Sequence, residues 1–396
     1  MKTAPSLRLL RLHLTEFRNY DTLTWRPASR ISALFGPNGS GKTNLLEAIS
    51  LLTPGRGLRN ARTADLARRA PGASGRWAVA ARFDTPAGPA EIGTGIPPEG
   101  PADRRVFRLD GAAPRSQADI AARVAAVWLT PQMERLFIEP PSGRRRFLDR
   151  LVWALEPGHA REIAAHDAAM SGRNRLLAQP SRDTGWLAGL EDAMARHAVA
   201  VAAARMALVS RLDGAVTAGT VVGFPPVRIA LDCPIATRLA AAPAVEVEEW
   251  LRRELIARRR GDAQAGTASI GAHRCDMVLT EATTGLPAGL ASTGEQKAML
   301  LAVILAHAGL IAEARGFAPL LLLDEPCVHL DPARRQAMFA ALVRLPGQAL
   351  LTGTDAETFL PLAQTAEGLR TGDGRLTPDP RFLPGLDTFS PVPGTP

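Results

Sequence analysis

The stretch Gly36-Pro-Asn-Gly-Ser-Gly-Lys-Thr43 decides the fold of this 396-residue chain. It satisfies the pattern G-x-x-x-x-G-K-[ST], and it lies between an apolar run at 31–35, which predicts a buried strand, and a helical pattern at 44–52. In a strand, loop and helix of this kind, glycines let backbone N–H groups curl around phosphates, and the helix N-terminus adds favourable partial charge. The sequence therefore predicts an α/β fold with a nucleotide-binding loop.

Two side chains of this loop have specific roles in the prediction. Lys42 would reach the β and γ phosphates of ATP, and the Thr43 hydroxyl would bind Mg²⁺. A flexible turn without a ligand is the alternative reading, and the strand-to-helix context disfavours it. The residues expected to contact nucleotide are Gly36, Pro37, Asn38, Gly39, Ser40, Gly41, Lys42, Thr43 and Asn44.

A second segment supplies the acids that such a site needs. Leu320 to Leu323 are all leucine and predict a buried strand, which Asp324 and Glu325 follow directly. An acid at the carboxyl end of a buried strand can hold Mg²⁺, so Asp324 is the expected metal ligand. Glu325 is then placed to orient and deprotonate water. An ordinary acidic turn is the alternative, and the phosphate loop makes it the weaker one.

A third segment, Ala291-Ser-Thr-Gly-Glu-Gln-Lys297, precedes a strongly apolar helical pattern. Taken alone, Ser292 would cap that helix and Gly294 would let a phosphate approach its N-terminus. The pattern S-x-G-[EQ]-Q resembles the signature motif of ABC-type ATPases, and His329-Leu-Asp331 stands where that superfamily keeps its D-loop. The resemblance implies an ATP-dependent homodimer, in which the Ser292 segment of one subunit closes over the ATP held by the other.

Two further positions are weaker candidates. Gln132 resembles the Q-loop glutamine, which would contact the metal and serve catalysis, but a surface glutamine explains this single residue equally well. Thr352-Gly-Thr354-Asp355 follows an apolar run at 349–351 and holds no histidine where many relatives carry a switch histidine. Thr354 is the expected equivalent, and whether it senses the γ phosphate stays open.

The chain as a whole resembles the RecF family of bacterial recombination and gap-repair ATPases. The segments that carry the resemblance are Phe17-Arg-Asn-Tyr20, the phosphate loop extended through Thr43-Asn-Leu-Leu-Glu47-Ala48, Val127-Trp-Leu-Thr-Pro131, Arg144-Arg-Arg-Phe-Leu-Asp149, Gly271-Ala-His-Arg274 and the signature. The resemblance implies an ABC-type P-loop ATPase head, with a mixed sheet flanked by helices and an inserted, mostly helical lobe. Arg18 would touch the nucleotide, as an N-terminal arginine does in related repair ATPases, and a surface arginine at a strand end is an equal alternative.

The same resemblance implies the activity and the partners. These are ATP-dependent dimerisation on gapped, single-stranded or duplex DNA, weak DNA-stimulated ATP hydrolysis, and cooperation with RecR and RecO in loading RecA. The expected domains are a discontinuous head at 1–130 and 265–375, an inserted helical lobe at 131–264, and a tail at 376–396. Six prolines in the tail predict that it is largely unstructured.

The charge distribution fits a nucleic-acid partner. The chain carries 47 basic and 39 acidic residues, and seven arginines lie between Arg56 and Arg82 against one acid, Asp65. This stretch, Arg144–Arg146 and Arg258–Arg260 are candidate contacts to a phosphate backbone, without base readout. Each cluster on its own is more often just a solvated helix face.

The remaining features point to the cytoplasm. Three cysteines, Cys233, Cys275 and Cys327, are widely separated and predict neither a disulfide framework nor a zinc site. The longest strongly apolar run, at 299–311, is shorter than the ~20 residues that cross a bilayer. The N-terminus lacks an uninterrupted hydrophobic segment. We therefore expect no membrane span.

Three other classes of protein share parts of this pattern. A transporter ATPase leaves the long helical middle and the RecF-like segments unexplained. An ATP-dependent nuclease would need an acidic metal cluster after the head, where only Asp379 and Asp387 follow residue 376. A structural ATP-binding module is harder to separate, because slow turnover looks similar.

Overall fold

The computed structural model describes residues 7–99, 101, 103–179, 183–218 and 223–383. Its strands are β1 (Arg8–Phe17), β2 (Tyr20–Trp25), β3 (Ile31–Phe35), β4 (Ala78–Thr85), β5 (Gly88–Gly95), β6 (Val106–Leu109), β7 (Ala126–Leu129), β8 (Val227–Asp232), β9 (Asp276–Glu281), β10 (Leu320–Leu323), β11 (Ala349–Gly353), β12 (Ala366–Gly372) and β13 (Arg375–Pro378). Its α-helices are α1 (Lys42–Ser50), α2 (Gln117–Arg123), α3 (Pro141–Leu155), α4 (His159–Leu177), α5 (Thr184–Thr217), α6 (Pro234–Leu239), α7 (Ala244–Ala257), α8 (Arg259–Ala265), α9 (Thr293–Arg315) and α10 (Pro332–Arg344).

The chain divides into two compact units. The first consists of Met1–Glu134, Val221–Phe224 and Thr293–Pro396, and the second of Arg135–Thr220 and Pro225–Ser292. The sequence had placed residues 265–292 in the head, whereas here they belong to the second unit. The reason is β9, which pairs antiparallel with β8 along its whole length.

The first unit contains a six-stranded sheet in the order β13-β12-β3-β11-β10-β7. All of these strands are parallel except β13, which pairs antiparallel with β12. Every residue of β3, β10 and β11 is buried, as expected for strands covered on both faces. Leu323 pairs with Leu129, so β10 and β7 end together, and Gly353 pairs with Phe35, so β11 and β3 end together two residues further along. The loops that follow them meet at one edge of the sheet.

A second sheet in the same unit is antiparallel, in the order β2-β1-β4-β5-β6. Along β1, Leu12 and Leu14 are fully buried, while His13 and Thr15, which alternate with them, are partly exposed. This alternation places one face of the sheet against the core.

Helix α9 is the most apolar helix of the first unit. By length and composition alone, Thr293–Arg315 could cross a membrane, which the sequence run at 299–311 did not suggest. However, 78% of its most apolar window is buried inside the protein. It therefore has the burial of a core helix.

The second unit consists mainly of helices α3 to α8. Its longest helix, α5, begins after Asp183, whose carboxylate accepts the backbone N–H of Trp186. The buried Arg173 guanidinium of α4 donates to Glu191 of α5 at 3.0 Å and to Asp262 of α8 at 2.8 Å. This buried ion-pair network joins three helices.

The cysteines correct one expectation from the sequence. Cys233 and Cys275 form a disulfide inside the second unit, and Cys327 is a buried free thiol. The prediction that the cysteines form no disulfide was therefore wrong for this pair. Their separation of 42 residues gave no sign of it, because the pairing of β8 with β9 brings them together.

The C-terminal segment corrects another expectation. Residues 376–383 were predicted to be unstructured, but they continue β13 and pack on the head. Phe382 is buried and stacks on Phe35 with ring centroids 5.7 Å apart, and the Asp379 backbone N–H donates to the Gly368 carbonyl. The rest of the predicted tail, residues 384–396, lies outside the described residues.

Candidate nucleotide-binding site

The predicted phosphate loop connects β3 to α1, as the motif requires. The helix begins at Lys42, whose ammonium donates to the carbonyls of Gly36 at 2.7 Å and Pro37 at 2.9 Å. Burial lowers the pKa of Lys42, while the negative charges of Glu325 and Asp324 act in the opposite direction. The lysine and both predicted acids therefore share one electrostatic environment.

The back of the loop rests on β12. The Ser40 hydroxyl lies 2.6 Å from the Thr371 hydroxyl, and a Cβ at Gly36 would meet the Thr371 carbonyl at 2.5 Å. Asn38 and Gly39, at the tip of the loop, are exposed. The strand thus supports one side of the loop and leaves its tip open to solvent.

The Phe17-Arg-Asn-Tyr20 segment supports the loop from the other side. The Asn19 amide donates to the Ser40 carbonyl at 3.3 Å, and the Tyr20 hydroxyl donates to the Gly41 carbonyl at 3.1 Å. Gly41 has a φ of 104°, and a Cβ there would lie 2.4 Å from the Asn19 amide nitrogen. Only glycine fits this position.

Arg18 is held against the phosphate-loop helix. Its guanidinium donates to both carboxylate oxygens of the buried Glu47, each at 2.8 Å, and to the Asp65 carbonyl. Arg59 lies 3.5 Å from Glu47 and donates to the Asn44 side chain at 2.8 Å. Asn44 thus lies on α1 and Arg18 contacts that helix through Glu47, while a nucleotide contact by Arg18 stays a prediction.

Two of the predicted metal ligands, Thr43 and Asp324, are hydrogen-bonded to each other. The Thr43 hydroxyl donates to Asp324 Oδ1 at 2.8 Å, and the Thr352 hydroxyl at the end of β11 donates to the same atom at 2.7 Å. A threonine hydroxyl and one carboxylate are the oxygen donors that Mg²⁺ commonly takes from a protein beside nucleotide phosphates. The residues present therefore fit the ion.

Hydrogen bonds to its backbone groups hold Glu325 in place. It has a φ of 50°, a left-handed conformation that is strained for a residue with a Cβ. Its N–H donates to the Thr352 hydroxyl at 2.8 Å, and its carbonyl accepts the Lys297 ammonium at 2.7 Å. These two contacts hold the carboxylate residue directly beyond Asp324.

The remaining predicted site residues lie on adjoining segments. Gln132 is exposed, in a 3-10 turn at Pro131–Arg135 that follows β7. Ser292 is the last residue of the second unit, immediately before α9. Gly294 lies in the first turn of α9, where a Cβ would meet the His329 carbonyl at 2.6 Å. The signature glycine is therefore packed against the predicted D-loop.

Thr354 is exposed, and its hydroxyl donates to the Asp355 carboxylate at 2.7 Å. Thr352, two residues earlier, is the threonine of this segment that contacts both site acids. The sequence passed over Thr352 and the support given by Asn19 and Tyr20. Only the latter two carried a signal, since they belong to a family-like motif.

The arginines of the basic stretch fall into two classes. Arg59, Arg68, Arg69 and Arg76 bond to Glu47, Glu16, Asp65 and the Pro97 carbonyl, respectively. Arg56, Arg62 and Arg82 are exposed, and within the described part of the chain their guanidinium groups form no hydrogen bond or ion pair. The second class is free to meet an external anion.

The other two arginine clusters are mostly engaged inside the second unit. Arg144 forms a bidentate pair with Asp276, and Arg145 donates to the Cys275 carbonyl, which leaves Arg146 exposed. Most of this family-like motif therefore builds the second unit.

In the last cluster, Arg258 pairs with Glu254 and Arg259 with the buried Glu191. Arg260 is exposed. Of the two clusters, Arg146 and Arg260 thus remain as candidates for contact with an external phosphate.

Comparison with known proteins agrees with this geometry. Residues 8–370 match the family model of the RecF/RecN/SMC N terminal domain. The DNA replication and repair protein RecF of Mesorhizobium japonicum is 47% identical over 370 residues, covering 93% of this chain and 97% of that protein. The RecF of Rhizobium meliloti is 41% identical over 375 residues, covering 93% and 98%.

Solved structures show the same fold. The recombination mediator protein RecF-ATPrS of the RecFOR pathway superposes with a TM-score of 0.82 at 19% identity, over 96% of this chain and 100% of that one. An Smc head bound to the C-winged helix domain of ScpA gives 0.53 at 17% identity, over 94% and 96%. The fold is thus the mixed α/β head of RecF and SMC proteins, with helical insertions. From the extent of the family match and the identity to full-length relatives, the chain belongs to the RecF family.

Proposed function

We propose that this chain is an ATP-dependent DNA-binding protein of recombinational repair, which dimerises on DNA with ATP and hydrolyses the ATP slowly. The observation that carries the proposal is the hydrogen bond from the Thr43 hydroxyl to Asp324 Oδ1. Thr43 directly follows the lysine of the phosphate loop, and Asp324 directly precedes Glu325. This is the arrangement that an ABC-type ATPase needs. The similar RecF-ATP structure supports it, with a TM-score of 0.79 at 20% identity over 94% of this chain and 99% of that one.

ATP would bind along the loop from Gly36 to Asn44. Loop N–H groups and the N-terminus of α1 would hold the β and γ phosphates, with Lys42 turning from the loop carbonyls to the γ phosphate. Thr43 and Asp324 would hold Mg²⁺, and Gln132 would approach it from the end of β7. When bound, Mg²⁺ supplies charge neutralisation between the β and γ phosphates.

Glu325 would act as the general base. Its backbone is fixed by Thr352 and Lys297, so its carboxylate can receive a proton from a water aligned with the γ phosphate without reorganising the chain. Slow turnover permits release from DNA after each cycle. Thr354 would take the place of the switch histidine in sensing the γ phosphate.

Dimerisation would complete the site. Ser292 and Gly294 of a second copy would close over the ATP, so that two molecules sandwich two nucleotides. The packing of Gly294 on the His329 carbonyl supports this role, because it joins the signature to the D-loop within one subunit. The partners would be RecR and RecO, and RecA indirectly, in the cytoplasm.

DNA would contact the exposed arginines of the basic stretch. The guanidinium groups of Arg56, Arg62 and Arg82 form no ion pair within the described residues, although Glu91 lies opposite Arg82 on β5, so they can neutralise phosphates. Arg69 is a natural control, because its exposed guanidinium is paired with Asp65 at 2.8 Å.

The hydrolysis proposal is tested with Glu325→Gln. We expect the variant to bind ATP and to sediment as a stable dimer on gapped DNA, whereas the wild-type protein returns to monomer as ATP is consumed. Lys42→Arg should impair the dimer, since a guanidinium does not reproduce the point contact of an ammonium. If the Glu325→Gln protein stays monomeric when saturated with ATP, ATP-dependent dimerisation is contradicted. If it hydrolyses ATP at the wild-type rate, the role of Glu325 as general base is contradicted.

The DNA proposal is tested by the salt dependence of affinity. Each lost phosphate contact on duplex DNA should reduce the slope of log K against log salt by about 0.9. We therefore expect the triple variant Arg56→Ala, Arg62→Ala and Arg82→Ala to lose about 2 to 3 from the slope. Arg69→Ala should change it little. An unchanged slope in the triple variant removes these residues from the interface.

A further inference from the structure

The signature segment contains a charged side chain in an unusual place. Lys297 lies in the first turns of α9, and its side chain is 0% exposed. A buried ammonium is costly unless it is paired and hydrogen-bonded. Here it lies 2.7 Å from Glu134 Oε1 and donates to the Glu325 carbonyl at 2.7 Å.

The contact to Glu325 bears on the geometry of the proposed base. A left-handed conformation is unfavourable for a residue with a Cβ and persists only where its surroundings fix it. Thr352 holds the N–H of Glu325, and Lys297 holds its carbonyl. The two contacts lie on opposite sides of the residue and together define its orientation.

Glu134 extends the link to two other segments. Its second oxygen lies 3.2 Å from Nδ1 of His329, in the predicted D-loop. It also belongs to the same 3-10 turn as Gln132. One partly buried carboxylate, with 17% of its side chain exposed, thus contacts the signature helix and the D-loop, and it shares a 3-10 turn with the predicted Q-loop residue.

We propose that Lys297 is a positioning residue for ATP hydrolysis, which holds Glu325 in its strained conformation, and that Glu134 holds Lys297 in place. The inference rests on the proposed function, in that Glu325 is taken as the base. Lys297 would touch neither ATP nor water. Removing it should therefore lower turnover while leaving ATP binding nearly unchanged.

The test separates charge pairing from positioning. Lys297→Met keeps the length of the side chain and removes the ammonium, but it leaves the partly buried Glu134 carboxylate without its lysine partner and therefore risks destabilising the protein. The double variant Lys297→Met, Glu134→Met replaces the whole pair by apolar groups, which is often tolerated. Arg381→Met is the matched control, because it breaks an ion pair with Asp379 outside the site.

Three quantities are measured for each purified variant: the unfolding midpoint, the ATP affinity from a fluorescent analogue, and kcat for ATP hydrolysis with DNA. We expect the double variant to fold, to bind ATP within about threefold of wild type, and to lose kcat by about 10- to 100-fold, as for a displaced catalytic group. Lys297→Arg, which can donate to the same carbonyl, should recover part of kcat. Arg381→Met should keep wild-type kcat.

Two outcomes overturn the inference. Wild-type kcat in the folded double variant would show that Lys297 only neutralises Glu134, and a joint loss of ATP affinity and kcat would show a role in binding. Glu325→Gln in the same assay distinguishes this failure from that of the proposed function. If Glu325→Gln also keeps full turnover, the base is misassigned; if it abolishes turnover while the double variant retains it, only the positioning role fails.

Discussion

The pH dependence of stability offers a sharp test of the sheet that carries the phosphate loop. Glu367 on β12 is buried beside β3, where its carboxylate accepts the Ser32 hydroxyl at 2.7 Å and the Ala28 N–H at 3.1 Å. Burial raises the pKa of Glu367 to about 7 from its ordinary value of 4.5, although these two hydrogen bonds act in the opposite direction. The perturbation that isolates this group is Glu367→Gln, which removes the titration and keeps the shape.

The sign and size of the effect follow from proton linkage. Between pH 4.5 and pH 7 the folded protein binds more protons at Glu367 than the unfolded chain, so the free energy of unfolding falls as pH rises. The contribution is complete below pH 4.5 and is lost through pH 7. From these two values, the loss between pH 5 and pH 8 is about 2.5 kcal/mol.

The assay is urea unfolding of both proteins at pH 5, 6, 7 and 8. The free energy of unfolding of the wild type, minus that of Glu367→Gln, should fall by about 2.5 kcal/mol across the series. Any pH-independent effect of the glutamine amide on stability cancels, because the test uses only the change of this difference with pH. A flat difference for Glu367→Gln would refute the reasoning.

Three other predictions concern stability. Thr352→Val removes a buried hydroxyl that donates to Asp324, and urea unfolding should show a loss of about 2 kcal/mol; a loss below ~0.5 kcal/mol would mean that the hydrogen bond is replaced. Arg173→Met breaks the buried ion-pair network of the second unit and should lower the free energy of unfolding by about 3 to 5 kcal/mol in the same measurement. The exposed Arg69→Met should lower it by less than ~0.5 kcal/mol, and equal losses for the two variants would contradict the argument from burial. Cys233→Ser opens a 42-residue loop and should lower the free energy of unfolding by about 4 kcal/mol under oxidising conditions, a difference that a reductant should abolish.

The sequence predicted the secondary structure around the candidate site. A strand, loop and helix around Lys42 need only contiguous residues, and so does an apolar strand that ends in Asp324. That the phosphate loop and Asp324 lie side by side was inferred from the chemistry of the motif. The parallel register of β3, β11 and β10 explains this proximity physically. The helix began at Lys42, two residues before its predicted start, because the loop itself forms the first turn.

The parts that were missed depend on tertiary register. Thr352 could be any strand residue until β11 is placed beside β10, which brings its hydroxyl to Asp324. The disulfide likewise needs β8 and β9 to pair first, because 42 residues separate its cysteines. No local pattern encodes either contact. Both follow from which strands become neighbours.

Arginines in similar basic runs of the sequence have different partners in the structure. Arg144 and Arg56 looked alike in the sequence, each an arginine in a basic run. In the structure Arg144 is fixed by both oxygens of Asp276, whereas Arg56 is exposed and, among the described residues, has no carboxylate beside it. A bidentate pair would have to be broken before its guanidinium could bind a phosphate, and that cost opposes binding. The partner of an arginine, more than its neighbours in sequence, therefore decides whether its guanidinium group is engaged within the fold or stays available to an external phosphate.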